Sequence, residues 1–169
     1  QTWEAPAAPL LSTVAPATNL LVVGTLDAHV RAYNASDGAE RWAFKGTEWF
    51  WATPLVVGDA VYAADLDGRV YALDAGTGAE RWRTALARGN VRAAPVLAGG
   101  TLVLATAEGA IFGLDPATGA ERWVAQADSG RLLASPLVLE SGILFVSDSG
   151  VLLRVNPNAG ALETLYTPK

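Results

Sequence analysis

Apolar and polar positions along the chain fall into short runs rather than long periodic stretches. LVV at 21–23, VYA at 61–63, LVLAT at 102–106 and ILFVS at 143–147 are β-favouring runs fenced by Gly, Asp or Pro. No segment sustains the apolar period of a helix, so the pattern predicts an all-β chain. In one well-formed stretch the runs resolve into strands over 53–57, 60–64, 69–74 and 80–85, joined by short turns as a meander. Asp67-Gly68 is the residue pair favoured where a hairpin needs positive φ, and Gly109 and Gly150 recur at the same place, while Ala28 departs from it.

These stretches are copies of one unit. NASDGAERW at 34–42 returns as DAGTGAERW at 74–82, as DPATGAERW at 115–123 and, weakened, as NPNAGALET at 156–164. Gly38, Gly78, Gly119 and Gly160 are 40, 41 and 41 residues apart. Trp42, Trp82 and Trp123 keep the step until Thr164 takes the fourth place, and Pro54, Pro95 and Pro136 mark the other end, with Pro16 standing for them in the first unit. Four-stranded units of about 40 residues that cannot bury both faces alone read as β-propeller blades.

The D-x-x-TG-x-x-x-W pattern of Asp74, Thr77, Gly78 and Trp82, repeated as Asp115, Thr118, Gly119 and Trp123, resembles the tryptophan-docking motif of pyrroloquinoline-quinone-type β-propellers. The resemblance covers nearly the whole chain. It implies that Trp42, Trp82 and Trp123 each pack between neighbouring blades, beside Gly38, Gly78 and Gly119, and bond backbone of the next blade. A large ring with one polar handle suits such a place.

On this reading 1–15 is an outer strand of a preceding or partner blade plus a connection, marked by Trp3. Blades follow at 16–46, 47–87, 88–128 and 129–169. Relatives of this kind close with seven or eight blades, so four are expected to be half of an eight-bladed ring or a fragment of a larger propeller. The remaining blades would come from a second copy, from another chain or from lost sequence; a compact four-bladed ring is a further solution. Gln1 and the absence of Met point to a processed or truncated chain.

Composition narrows the partners. A net charge of −5 and a pI near 4.8 give no basic field to exchange for phosphate counterions, so no nucleic acid is expected. The absence of Cys excludes disulfides and thiolate chemistry. No run approaches the roughly 18 apolar residues of a membrane span.

Catalysis finds little to work with. His29 is the single histidine and matches Arg69 in a turn; it lacks a second His for zinc or acid–base work. Asp65-Leu66-Asp67-Gly68 resembles the start of a calcium loop but has too few acids, and reads as a turn in which Asp67 bonds its own backbone. A quinoprotein enzyme of the resembled family implies an acidic base, a calcium and often a vicinal Cys pair, and this chain has no Cys. No catalytic residue, metal site or cofactor is therefore expected. The recurring Glu-Arg pairs at 40–41, 80–81 and 121–122 read as architecture, with each Arg alternating to the face opposite its Trp.

Connections between blades carry the variable residues. Trp49, Asn90 and Arg131 occupy like positions before the recurring Pro, as do Trp51, Arg92 and Leu133. Trp and Arg dominate binding hot spots, so Trp49, Phe50, Trp51, Asn90, Arg92 and Arg131 form the candidate axial patch, for a protein partner or for peptide strands adding to exposed edges. The chain is also similar to the propeller lipoproteins of the bacterial outer-membrane barrel-assembly machinery, which implies a scaffold in the periplasm or cell envelope. The lipid-anchoring Cys of such proteins is absent. The sensory ectodomain of a receptor or kinase, and part of a quinone-dependent dehydrogenase, are the alternatives.

Overall fold

The computed structural model describes residues 4, 9, 10, 12–87 and 89–169, so Trp3 lies outside the described residues. Strands β1 (Ala15–Ala17), β2 (Leu20–Gly24), β3 (His29–Asn34) and β4 (Glu40–Lys45) form the first sheet, here blade 1. Blade 2 is β5 (Leu55–Val57), β6 (Ala60–Ala64), β7 (Arg69–Asp74) and β8 (Glu80–Ala85). Blade 3 is β9 (Val96–Ala98), β10 (Thr101–Ala105), β11 (Ala110–Leu114) and β12 (Glu121–Gln126). Blade 4 is β13 (Leu137–Leu139), β14 (Gly142–Val146), β15 (Leu152–Val155) and β16 (Leu162–Tyr166). Each sheet is an antiparallel meander in chain order, and no helix occurs among the described residues. The fold is a β-propeller array, not closed into a ring.

One strand is shorter than its sequence predicts. Pairing in blade 2 starts at Leu55 instead of residue 53, because Pro54 has no N–H to donate; the Thr53 hydroxyl instead accepts the N–H of Thr13, ahead of blade 1, at 3.1 Å.

The cores lie between blades. Along β6, Val61 and Ala63 face blade 1 while Ala60, Tyr62 and Ala64 face blade 3; along β10, Leu102 and Leu104 pack towards blade 2 and Val103 and Ala105 towards blade 4. Both faces of these strands are covered, which explains why they read as continuous apolar runs without alternation. Fully burying one such Val or Leu contributes roughly 1.5–3 kcal/mol, so each blade depends on its neighbours for most of its stabilisation.

The outer strand is bulged. In blade 2, Ala72 opposes Trp82 and Leu73 opposes Glu80, leaving Arg81 as the extra residue. The simple alternation expected for the Glu-Arg-Trp run is therefore broken, and Arg81 lies exposed. Its guanidinium instead bridges Asp74 at 2.7 Å and Asp59 at 2.9 Å in its own blade. Arg122 does the same with Asp115 at 2.6 Å and the Gly100 carbonyl at 2.8 Å. Blade 1 has Asn34 where these have Asp, and Arg41 is exposed.

Tryptophans link successive blades. Trp42 Nε1 donates to the Ala75 carbonyl at 3.0 Å, Trp82 Nε1 to Pro116 at 3.0 Å and Trp123 Nε1 to Pro157 at 2.9 Å. Each ring lies on the glycine of the next blade, so closely that a Cβ added at Gly119 would sit 2.5 Å from the Trp82 ring. Gly119 also has φ +73°, a backbone state costly for other residues. Gly38, the blade 1 counterpart, is buried.

Candidate protein-binding face

Each connection between blades is fixed by one repeated hydrogen bond. The carbonyl of Trp49 accepts the Leu66 N–H at 3.0 Å, that of Asn90 accepts Ala107 at 2.9 Å and that of Arg131 accepts Asp148 at 2.9 Å. The three connections thus pass the β2–β3-type hairpin turns of their blades in the same way, and the side chains at these positions vary on a constant backbone.

Trp49 stands out at 47% exposed, unusual for the largest side chain. Trp51, two residues on, is half-buried and carries the Arg92 guanidinium 4.8 Å from its ring centroid. Arg92 Nε donates to Asn90 Oδ1 at 3.0 Å, so the cation is held between a ring of one connection and an amide of the next. Asn90 takes φ +77°, which Asn tolerates better than most residues. A cation over an indole contributes about 0.5–1 kcal/mol at exposed sites and pre-orients the guanidinium.

Phe50 is a correction to the expected patch. It is fully buried, wedged where Cβ atoms at Gly24 and Gly46 would approach it to 2.7 and 2.5 Å, and tilted against Tyr71 with centroids 5.7 Å apart. The signal was present in the sequence: Val91 and Leu132 occupy the same middle position and are also buried, so the middle residue of each connection turns inward. Arg131 stays exposed but is tied to Asp148, its Nε donating at 2.7 Å and its backbone N–H at 2.9 Å. The Arg131 guanidinium and then that N–H hold the Asp148 carboxyl below its ordinary range. The structure therefore brings together Trp51, Asn90 and Arg92, with Trp49 beside them in sequence, and anchors Arg131 within blade 4's turn.

A buried network supports the Trp49 to Trp51 connection. Asp65, wholly buried, accepts from the Thr47 hydroxyl at 2.7 Å, the Tyr71 hydroxyl at 3.0 Å and the Arg69 N–H at 2.9 Å. Burial, above all, raises the Tyr71 pKa. The turn carboxylate that bonds its own backbone is thus Asp65, not Asp67, whose N–H is a donor to Asp65 at 3.1 Å. Thr25, Thr106 and Ser147 fill the equivalent buried place, a polar position at the end of an apolar strand. Among the described residues no group of three or more His, Cys, Asp or Glu is placed to hold a metal. No helix among them is long and apolar enough to cross a membrane.

The architecture has known counterparts. The chain matches the model of the family described as outer membrane protein assembly factor BamB over residues 1–156. BamB from Moraxella catarrhalis is 26% identical with a TM-score of 0.76, over 94% of this chain and 53% of that one. This chain thus spans about half the length of that relative. The computationally designed Ika4 protein is 17% identical with a TM-score of 0.78, over 99% of this chain and 96% of that one. Quinohemoprotein alcohol dehydrogenase from Comamonas testosteroni shares the fold at 16% identity and a TM-score of 0.82, over 95% of this chain and 35% of that one. No curated protein matches the sequence. With the family model satisfied across most of its length and the same blades in BamB, this chain belongs to the BamB family of PQQ-type repeat β-propellers.

Proposed function

We propose that the chain is a non-catalytic scaffold that engages a protein partner in an extracytoplasmic bacterial assembly, through the connections carrying Trp49, Trp51, Asn90 and Arg92. The observation that carries this reading is the exposed Trp49, two residues before the Trp51 ring that, with Asn90, orients the Arg92 guanidinium. An exposed Trp and a half-buried, pre-oriented Arg on a fixed backbone are what a small binding hot spot requires, and the rigid frame lowers the ordering cost of association. Membership of a family described as an outer membrane protein assembly factor supports a place outside the cytoplasm and a partner within that machinery.

The test is binding of the chain to a purified outer-membrane protein assembly complex, measured by surface plasmon resonance. Trp49→Ala and Arg92→Ala are expected to weaken it by on the order of tenfold or more each, the range of hot-spot truncations, with the fold intact. Unchanged affinity in both variants would discard this face. Dye-linked alcohol oxidation by the chain with added pyrroloquinoline quinone and calcium would instead establish the enzyme reading.

A further inference from the structure

The outer strands repeat one register but not one set of side chains. Between blades 1 and 2, Phe44 lies edge-on to Tyr71 with centroids 5.1 Å apart, and Arg83, cross-strand from Tyr71, donates from Nε to Glu80 at 2.8 Å. Between blades 2 and 3, Phe112 opposes Val124 as Tyr71 opposes Arg83, and Leu114 opposes Glu121 as Leu73 opposes Glu80. Val70 opposes Thr84 as Val30 opposes Phe44. Thr84 thus stands for Phe44, Phe112 for Tyr71, Val124 for Arg83 and Glu121 for Glu80.

That exchange removes two groups. Thr84 has no ring to lay on Phe112, and a hollow of about 370 Å³ runs along β12 from Glu121 to Gln126, lined also by Ala87, Ala110, Phe112 and Val124. Val124 within it is 55% exposed. Unlike Arg83, Val124 has no cation to offer a carboxylate. Glu121 is exposed, with no hydrogen-bond or ion-pair partner among the described residues.

We infer that this hollow is a binding site for a partner segment that carries an aromatic side chain beside a basic one. The ring takes the place over Phe112 that Phe44 has over Tyr71, and the cation takes the place on Glu121 that Arg83 has on Glu80. Such a segment complements what the hollow offers, an apolar wall at Phe112 and Val124 with the Glu121 carboxylate at its end. The net charge of −5 adds to the attraction of a cation without choosing the place. None of these residues belongs to the axial patch, so either reading can fail without the other.

The test is titration of the ¹⁵N-labelled chain with the peptide acetyl-Arg-Phe-Arg-amide at constant ionic strength, followed by amide chemical shifts. Saturable shifts centred on Val124 and Gln126 are expected. Acetyl-Glu-Phe-Glu-amide, which lacks the cation, and acetyl-Arg-Ala-Arg-amide, which lacks the ring, are each expected to bind about fivefold more weakly or worse. Glu121→Gln is expected to raise the Kd of the first peptide about two- to fivefold, the range of an exposed ion pair. Thr84→Phe, which supplies the ring from within the chain, is expected to raise it by about tenfold or more, as loss of a buried aromatic does. Absence of shifts at Val124 and Gln126, equal binding of the three peptides, or a Kd indifferent to either substitution overturns the inference.

Discussion

The indole of Trp82 reaches across to blade 3, its Nε1 donating to the Pro116 carbonyl at 3.0 Å while its ring lies on Gly119. The contact joins two sheets through one side chain that is only partly buried. Trp82→Ala is expected to cost about 2–4 kcal/mol, near the lower end for large aromatics, read as the shift of the urea midpoint. Gly119→Ala attacks the same contact from the other side and is expected to cost roughly 1–3 kcal/mol, since it adds a clash at positive φ. A loss within the ~0.5 kcal/mol of ordinary surface changes in both would show that this contact does not bind the blades.

Phe50 and Trp49 are neighbours with opposite fates. Phe50→Ala empties a socket lined by Gly24, Gly46 and Tyr71 and is expected to destabilise by about 3–5 kcal/mol. Trp49→Ala is expected to leave the thermal midpoint nearly unchanged, and to remove much of the exposed-Trp fluorescence quenched by acrylamide.

Asp65 stabilises the turn beneath that pair. Asp65→Ala removes the acceptor shared by the Thr47 and Tyr71 hydroxyls and the Arg69 N–H; the two hydroxyls keep each other at 3.2 Å, and each buried group left unsatisfied costs about 1–3 kcal/mol. Thermal unfolding is expected to fall by several degrees or more, whereas Asp67→Ala, which leaves those partners in place, is expected to be close to neutral.

Asp74 contributes to acid stability, as do Asp27, Asp59, Asp115 and Asp148, whose carboxyls are also held low. The Arg81 guanidinium, and then the Thr77 hydroxyl and N–H, hold the Asp74 pKa down from 3.8 to about 2. A carboxylate whose folded pKa is depressed contributes stability that is present above its unfolded value and is lost as pH falls towards the folded one. The thermal midpoint is thus expected to drop between about pH 4 and pH 2, the window set by those two values. Asp74→Asn is expected to flatten that drop, and added salt to shrink the difference, because the pair is solvent-exposed. An identical pH profile for the variant would remove Asp74 from the account.

The frame was legible because it recurs. Three copies of the Gly and Trp spacing, and apolar runs at one step, are enough to place strands 60–64, 69–74 and 80–85 where the structure has them. What repetition conceals is direction. Whether Phe50 turns in or out depends on the space left by Gly46 four residues before it and by Gly24, which lies far from it in sequence, and only the matching Val91 and Leu132 hint at the answer. The bulge at Arg81 is equally hidden, since a run of Glu, Arg and Trp does not show which residue is set aside. In blade 4 the weak fourth motif signalled a missing Trp at Thr164, but not that the pairing would slip and bring Glu163 to Arg154.

Placing every core between blades and none within one has a bearing on ancestry. A genetic duplication or loss that begins and ends at the same point of the repeat removes or adds one interface and leaves the others with both their walls. A break elsewhere halves a blade and exposes two cores at once. Blade number is then the feature most easily changed over generations, and the constant steps of 40 and 41 residues between glycines are what a history of whole-unit copying leaves behind.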